Sequence, residues 1–284
     1  MDNTVRKAIK ALTPSLDAGE ARAVVENIFH WLKGWSRTDM LIHDDTALSP
    51  FIREKVDEAV TRILKGEPVQ YVTGEAYFYG MWLHVDSRVL IPRPETAELV
   101  DMIADWADGR ADLRALDIGT GSGCIAIALA RTLRFPVIKA IDISQGALHI
   151  AEKNAKELKA DITLEEADML SYSPEPDSLD IVVSNPPYID ESERSDIEPT
   201  VKDFEPETAL FVPDSDPLKF YRPIAETARK GLRPGGRLFL EINPRHAESM
   251  LSLLSEAGFS EAETHLDIHG KKRFATAIQP TRTP

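Results

Sequence analysis

The sequence predicts an α/β protein: a largely parallel sheet covered by helices on both faces, preceded by a small all-α N-terminal domain and a connecting β-hairpin. Three observations carry this prediction. Apolar residues recur at helical spacing from Thr4 to about Lys65, the pattern turns extended after Gly66-Glu67-Pro68, and from Glu95 onward helical and extended segments alternate. A chain of 284 residues, 43% of them hydrophobic, can bury one sizeable core and still furnish a small second domain.

In chain order, Ala21, Val24, Val25, Ile28, Phe29 and Leu32 form one helical stripe and Val56, Ala59, Val60, Ile63 and Leu64 another. Ser15, Asp39 and Ser49 are the expected helix starts, around breaks at Pro14, Gly34 and Pro50. Tyr71, Val72, Tyr77, Phe78, Met81, Leu83, Val85, Val89 and Ile91 favour extended chain, with turns at Gly74, Gly80 and Asp86-Ser87. Helices are then expected over 95–106, 124–133, 145–158 and near 218–230. Strands are expected over 114–118, 137–141, 162–166, 179–184, 237–242 and 273–278. The division that follows is a helical domain over 1–72, a hairpin linker over 73–92 and the sheet domain over 93–284.

The formal charge of −14 repels phosphate backbones, so no broad basic surface for an extended duplex is expected. A single cysteine excludes an internal disulfide and fits a reducing, cytoplasmic compartment. Met1 to Leu12 mixes Arg6, Lys7 and Lys10 with isolated apolar residues, and no apolar run approaches the ~20 residues that cross a bilayer; neither export nor insertion is expected.

Arg114-Ala-Leu-Asp-Ile118 runs directly into Gly119, Thr120, Gly121, Ser122 and Gly123 and then into an apolar helix. Alternate glycines permit positive φ and let a ligand approach the main chain at the carboxyl edge of the sheet. Asp142, closing the next strand, can accept hydrogen bonds from both hydroxyls of a ribose. A nicotinamide dinucleotide uses the same strand, loop, helix and acid, but its fingerprint needs glycine where Cys124 stands; S-adenosylmethionine, which has no phosphate, needs none. Asp117 either faces the methionine ammonium or stabilises the turn. Asp168 and Met169 either set a carboxylate and an apolar side chain against adenine or form an ordinary strand-end turn.

The strand over 179–184 delivers Asn185, Pro186, Pro187 and Tyr188 to the same sheet edge. An amide or aromatic amine nitrogen is a poor nucleophile because its lone pair is delocalised. The Asn185 side-chain oxygen and the Pro186 carbonyl can accept both N–H bonds, aim the lone pair at a sulfonium methyl and stabilise charge developing on nitrogen. Two prolines stiffen the backbone and Tyr188 can stack on a planar group. Asn-Pro also begins ordinary turns, but its place after a cofactor loop and a ribose acid favours methyl transfer to a planar nitrogen.

With these residues in hand, the sequence resembles the release-factor glutamine methyltransferases over nearly its whole length. Pro68-Val-Gln-Tyr-Val-Thr-Gly74, Leu90-Ile-Pro-Arg-Pro-Glu-Thr96, Ser184-Asn-Pro-Pro-Tyr-Ile189, Phe204-Glu-Pro206 and Ala209-Leu210 look like that family's segments. The resemblance implies a Rossmann-like class I methyltransferase domain with a seven-stranded, mostly parallel sheet, and S-adenosylmethionine as donor. It also implies peptide chain release factors as protein substrate, with a helical front domain for docking and the Gly-Gly-Gln glutamine inserted at Asn185. Glu241-Ile-Asn-Pro-Arg245 departs from the family's usual glutamate-glycine or glutamate-histidine-glycine, which leaves the role of that strand end open.

The nearest rival is methylation of the exocyclic amino group of adenine, which the same tetrapeptide supports; it needs base extrusion and a basic groove, and neither the charge nor any segment offers one. A non-catalytic cofactor-binding role is disfavoured by the intact Asn-Pro-Pro-Tyr. Cys124 reads as a packing residue rather than a nucleophile. His265 and His269 lie in extended chain, and no metal site is expected. Lys271-Lys272-Arg273 reads as a solvated hairpin, and the acidic stretch 190–207 as a lid beside Asn185.

Overall fold

A computed structural model describes residues 4–43 and 47–281, so residues 1 and 284, the outer limits of the expected domains, lie outside the described residues. The front of the chain is helical: α1 (Thr4–Leu12), α2 (Ala18–Lys33), α3 (Arg37–Ile42), α4 (Pro50–Leu64) and a short α5 (Val69–Thr73). Leu12, Ala21, Val25, Ile28, Phe29, Val56 and Val60 close a core of their own. Ser49 caps α4 with Pro50 at its first position, as expected, but the other two starts move. Asp17 caps α2, its side chain accepting the Gly19 and Glu20 amides while its own amide donates to the Glu20 carboxylate, and Asp39 is the reciprocal partner of the cap Ser36 rather than a cap itself.

Tyr71 and Val72 are helical, not extended. Val69 and Val72 pack into the helical core while the Tyr71 hydroxyl donates to the Val89 carbonyl at 2.6 Å, so burial on two sides overrides β-propensity. The hairpin follows as β1 (Glu75–Phe78) and β2 (Met81–His84), closed by Tyr79 and Gly80 at φ 46° and 75°, the positive pair that a two-residue hairpin turn requires.

The remaining elements are α6 (Pro94–Trp106), β3 (Arg114–Ile118), α7 (Cys124–Thr132), β4 (Val137–Asp142), α8 (Gln145–Leu158), β5 (Ile162–Glu166), β6 (Leu179–Ser184), β7 (Ile189–Asp190), α9 (Pro199–Lys202), β8 (Phe211–Val212), α10 (Tyr221–Gly231), β9 (Leu232–Glu241), α11 (Ala247–Glu256), β10 (Ser260–Leu266) and β11 (Lys272–Ile278). Seven strands form one sheet in the order β10-β11-β9-β6-β3-β4-β5, parallel except that β11 opposes both its neighbours. Residue patterning missed the short pair β7 and β8 and, in the seven-stranded sheet, β10, whose Ser-Glu-Ala-Glu-Thr-His-Leu is largely polar because it forms an exposed sheet edge.

Alternate side chains of the central strands enter opposite layers. Ala115, Ile181 and Val183 meet α6 and α7, whereas Leu116, Ile118 and Val182 meet α10 and α11. Chain order runs from β3 outward through β4 and β5, then returns to β6 on the other side of β3. That reversal opens a crevice at the carboxyl ends of β3 and β6, the place where open α/β sheets bind ligands. No helix among the described residues is long and apolar enough to cross a membrane.

Candidate active site

Ile118 and Ser184 are register partners on β3 and β6, and the Ser184 hydroxyl donates to the Ile118 carbonyl at 2.6 Å, so the residues that follow each strand emerge side by side. Gly119, Thr120, Gly121 and Ser122 leave β3 and Asn185, Pro186 and Pro187 leave β6; together with Asp142 and Met169 they line one cavity. Gly119 and Gly121 have φ of 75° and 55°, and a Cβ on Gly119 would stand 3.2 Å from the Met169 methyl. Gly123 serves packing instead: its Cβ would meet Ile127 at 3.1 Å and Ala151 at 3.2 Å, where α7 lies against α8.

Asp142 accepts the Gly121 and Ser144 amides, each at 2.9 Å, and burial raises its carboxyl above the ordinary range. Each oxygen keeps a lone pair for a further donor. Asp117 lies behind the cavity wall. One of its oxygens accepts the Thr120 hydroxyl at 2.7 Å and the other is buried with no partner among the described residues; burial pushes the group up to about 7. The Asp168 carboxylate accepts the Leu170 amide at 2.9 Å and forms the strand-end turn, leaving Met169 alone on the cavity wall. Cys124 lines the cavity as a thiol whose burial pushes it up to about 12. This acid with paired main-chain amides, the glycine edge and the apolar thioether fit an adenosine-type ligand.

On the acceptor side, Asn185 Nδ2 donates to Thr96 Oγ1 at 3.2 Å, and no donor among the described residues reaches Asn185 Oδ1 or the Pro186 carbonyl. The Tyr188 hydroxyl donates to Glu241 at 2.9 Å and accepts from Arg273 at 3.3 Å; burial beside Glu241 drives the phenol well up. Asn243 Nδ2 donates to the Tyr188 carbonyl at 3.1 Å and to Glu193 at 2.6 Å. The segment Glu241-Ile-Asn-Pro-Arg245, whose role the sequence left open, thus grips the Asn-Pro-Pro-Tyr segment at both its side chain and its main chain. Arg273 corrects the reading of its hairpin: Lys272 pairs with Glu248 in solvent, but Arg273 turns inward between Asp267 and Tyr188.

Asn185 and Pro186 also form the wall of a second, open groove of about 560 Å³, bordered by Tyr188, by Arg93, Arg245, Lys271 and Arg273, and by acidic Glu193, Asp196 and Glu198. The stretch 190–207 supplies Glu193, Asp196, Glu198 and Val201 to the wall of this groove. Buried Glu205 fastens it, accepting the Ile91 amide at 3.0 Å and Arg93 at 2.6 Å.

Residues 96–201 match the family model of the methyltransferase small domain and residues 4–74 that of the PrmC N-terminal domain. The chain is 43% identical to the release factor glutamine methyltransferase of Bacteroides thetaiotaomicron, over 96% of this chain and 97% of that protein. This chain belongs to the release factor glutamine methyltransferases. A further member, from Flavobacterium psychrophilum, is 37% identical over 94% of both chains. The fold is also that of a methyltransferase from Pyrococcus furiosus, with a TM-score of 0.53, 15% identity, and coverage of 79% of this chain and all of that one.

Membership accounts for segments that motif chemistry alone did not. Arg93 and Thr96 come from the family-like Leu90–Thr96 segment and line the glycine-loop cavity, and Glu205 comes from Phe204-Glu-Pro206 and holds Arg93 from behind. Glu241, Asn243 and Arg273 had only weak signals, a carboxylate and an amide at a strand end and one base among three. Asp117, Gly123 and Asp168 support the site from behind or beside it and do not line the cavity.

Proposed function

We infer that this chain is an S-adenosylmethionine-dependent protein-glutamine N-methyltransferase. It methylates the side-chain amide nitrogen of the glutamine in the Gly-Gly-Gln motif of peptide chain release factors, exchanging one N–H for N–CH₃, and leaves S-adenosylhomocysteine and a proton that passes to solvent. The observation that carries this reading is the orientation of Asn185: its amide NH₂ is committed to Thr96, so its oxygen stands free on the wall that divides the glycine-loop cavity from the open groove.

When bound, S-adenosylmethionine supplies a methyl group on a cationic sulfur, open to in-line attack by a nitrogen lone pair. Asn185 Oδ1 and the Pro186 carbonyl accept the two N–H bonds of the glutamine amide, hold the lone pair toward the cavity and stabilise positive charge as it develops. Pro187 stiffens the backbone, and Tyr188 offers a ring face to the planar amide. Gly119, Thr120, Gly121 and Ser122 form the donor's main-chain edge, Asp142 takes its ribose hydroxyls and Met169 its adenine. Asp117 and Gly123 hold the loop from behind, and Asp168 shapes the turn that presents Met169.

Residues 1–72 serve docking of the release factor, 73–92 link, and 93–284 carry the chemistry; the enzyme works in the cytoplasm, binding neither nucleic acid directly nor membrane. Against methylation of adenine stands the charge of −14, and the arginines bordering the groove are each paired with a carboxylate, Arg93 with Glu205, Arg245 with Glu193 and Arg273 with Asp267, so they form no broad basic surface for a polyanion. Incubation with labelled donor and either purified release factor or nucleic acid, followed by mass mapping, decides between them. A single methyl on the Gly-Gly-Gln glutamine is the expected result, and label confined to nucleic acid sinks the reading.

A further inference from the structure

Glu241 ends β9 with 1% of its surface exposed, directly behind the Asn-Pro-Pro-Tyr segment. One carboxylate oxygen accepts the Thr96 hydroxyl at 2.7 Å, the other accepts the Tyr188 hydroxyl at 2.9 Å, and its main-chain carbonyl accepts the Tyr221 hydroxyl at 2.9 Å. Burial raises the Glu241 carboxyl, while the hydrogen bonds from Thr96 and Tyr188 and the Arg273 charge hold it down; in its ionised form the carboxylate can only accept hydrogen bonds, whereas a threonine hydroxyl has one proton to give. Because that proton goes to Glu241, Thr96 Oγ1 can only accept from Asn185. Asn185 must therefore turn its NH₂ toward Thr96 and its oxygen toward the cavity. The same logic fixes Tyr188, whose proton also goes to Glu241 while Arg273 donates to its oxygen.

We propose that Glu241 is a positioning residue whose acceptor-only carboxylate sets the flip of the Asn185 amide through Thr96 and the ring angle of Tyr188 directly. If the polarity of this relay reverses, Thr96 donates toward Asn185 and the NH₂ of Asn185 faces the incoming glutamine, so that donor meets donor. The inference rests on the glutamine-methylation reading for its turnover assay. Its physical content, the direction of the Asn185 amide, can also be read without any acceptor.

Glu241→Gln keeps shape and volume but introduces an NH₂ group that must face either Thr96 or Tyr188. With release factor as substrate, kcat is expected to fall on the order of 100-fold, as when one oriented transition-state contact is lost, while the affinity for S-adenosylmethionine and the thermal midpoint stay near wild type. Thr96→Val breaks the same relay, so the double variant should be no slower than the slower single one, the coupling expected of two residues acting through one hydrogen-bond chain, whereas the Asn185 amide signals report its direction. Independently, the side-chain ¹⁵N–¹H₂ signals of Asn185, assigned by their loss in Asn185→Ala, should shift in both Glu241→Gln and Thr96→Val. The proposal is overturned if kcat of Glu241→Gln stays within twofold of wild type, if the two losses multiply in the double variant, or if the Asn185 signals do not move. Wild-type protein that leaves release factor unlabelled ends the glutamine reading instead, and the amide signals then decide the role of Glu241 alone.

Discussion

Around the glycine loop the polar contacts stay within one stretch of the chain: Thr120 bonds Asp117 three residues away, Ser144 bonds Asp142 two away, Gly121 reaches Asp142 across 21 residues and Asn154 reaches the Ser122 carbonyl across 32. Around Asn185 they span the chain, with Thr96 lying 89 residues from Asn185, Glu241 53 from Tyr188 and Arg273 85 from Tyr188. The donor half is a strand, loop and helix that can shape itself locally. The acceptor half is a stiff tetrapeptide whose functional atoms acquire direction only from three other elements. Local construction suits a ligand held largely by main-chain groups, whereas orienting one amide oxygen requires side chains brought in from elsewhere.

The strongest challenge to this contrast is Asn185→Ala, which deletes the oriented oxygen and leaves the donor loop whole. Turnover should fall by ~10³-fold while calorimetry finds donor affinity nearly unchanged; turnover near wild type breaks the division between the halves. Asp142→Ala probes the other side. Loss of a charged acceptor should weaken donor binding by about 10- to 100-fold, with kcat at saturating donor much less affected, and unchanged affinity removes the ribose assignment.

A third test concerns pH. Burial pushes the Asp117 carboxyl up to about 7 in the folded protein, whereas in the unfolded chain it returns to the ordinary aspartate value of 3.8. Between those values the folded state retains a proton that the unfolded state releases, so this group's contribution to stability is full below about pH 4 and disappears as pH rises toward 7. Asp117→Asn cannot titrate, so denaturant midpoints of the variant, taken across that range, should lack the part of the decline that wild type shows. Identical slopes contradict the assignment. The smallest effect is expected from Ser184→Ala, which removes the hydroxyl joining the ends of β3 and β6: about 1 kcal/mol of stability, read as a lower denaturation midpoint. A larger loss of turnover than of stability means that this link aligns the two halves as well as joining them.

How much could be read from the chain follows from the same contrast. Strands over 114–118, 162–166 and 179–184 stand where patterning sets them, because each is an uninterrupted segment bounded by turn residues. The edge strand β10 escaped because half-solvated residues need no apolar pattern, and Tyr71 and Val72 were misassigned because their burial depends on partners elsewhere in the chain. Within the site, the glycine loop, Asp142 and Asn185 were visible as types at fixed spacing. Thr96, Glu241, Asn243 and Arg273 were not, since a threonine at a helix start or an arginine after a hairpin turn carries no mark of what it will face.

Residue types and their spacing set the chemistry on offer: an acid and a glycine edge after successive strands, and an amide oxygen beside a proline-stiffened carbonyl. Those depend on residue type and on spacing within one strand-turn unit. Only the tertiary structure decided which way the Asn185 amide points, that Asp117 sits behind the cavity rather than in it, and that Glu241, Asn243 and Arg273 converge on Tyr188. A hydrogen bond has a direction set by both partners, and here the second partner arrives from a distant part of the chain, on an adjacent strand or helix.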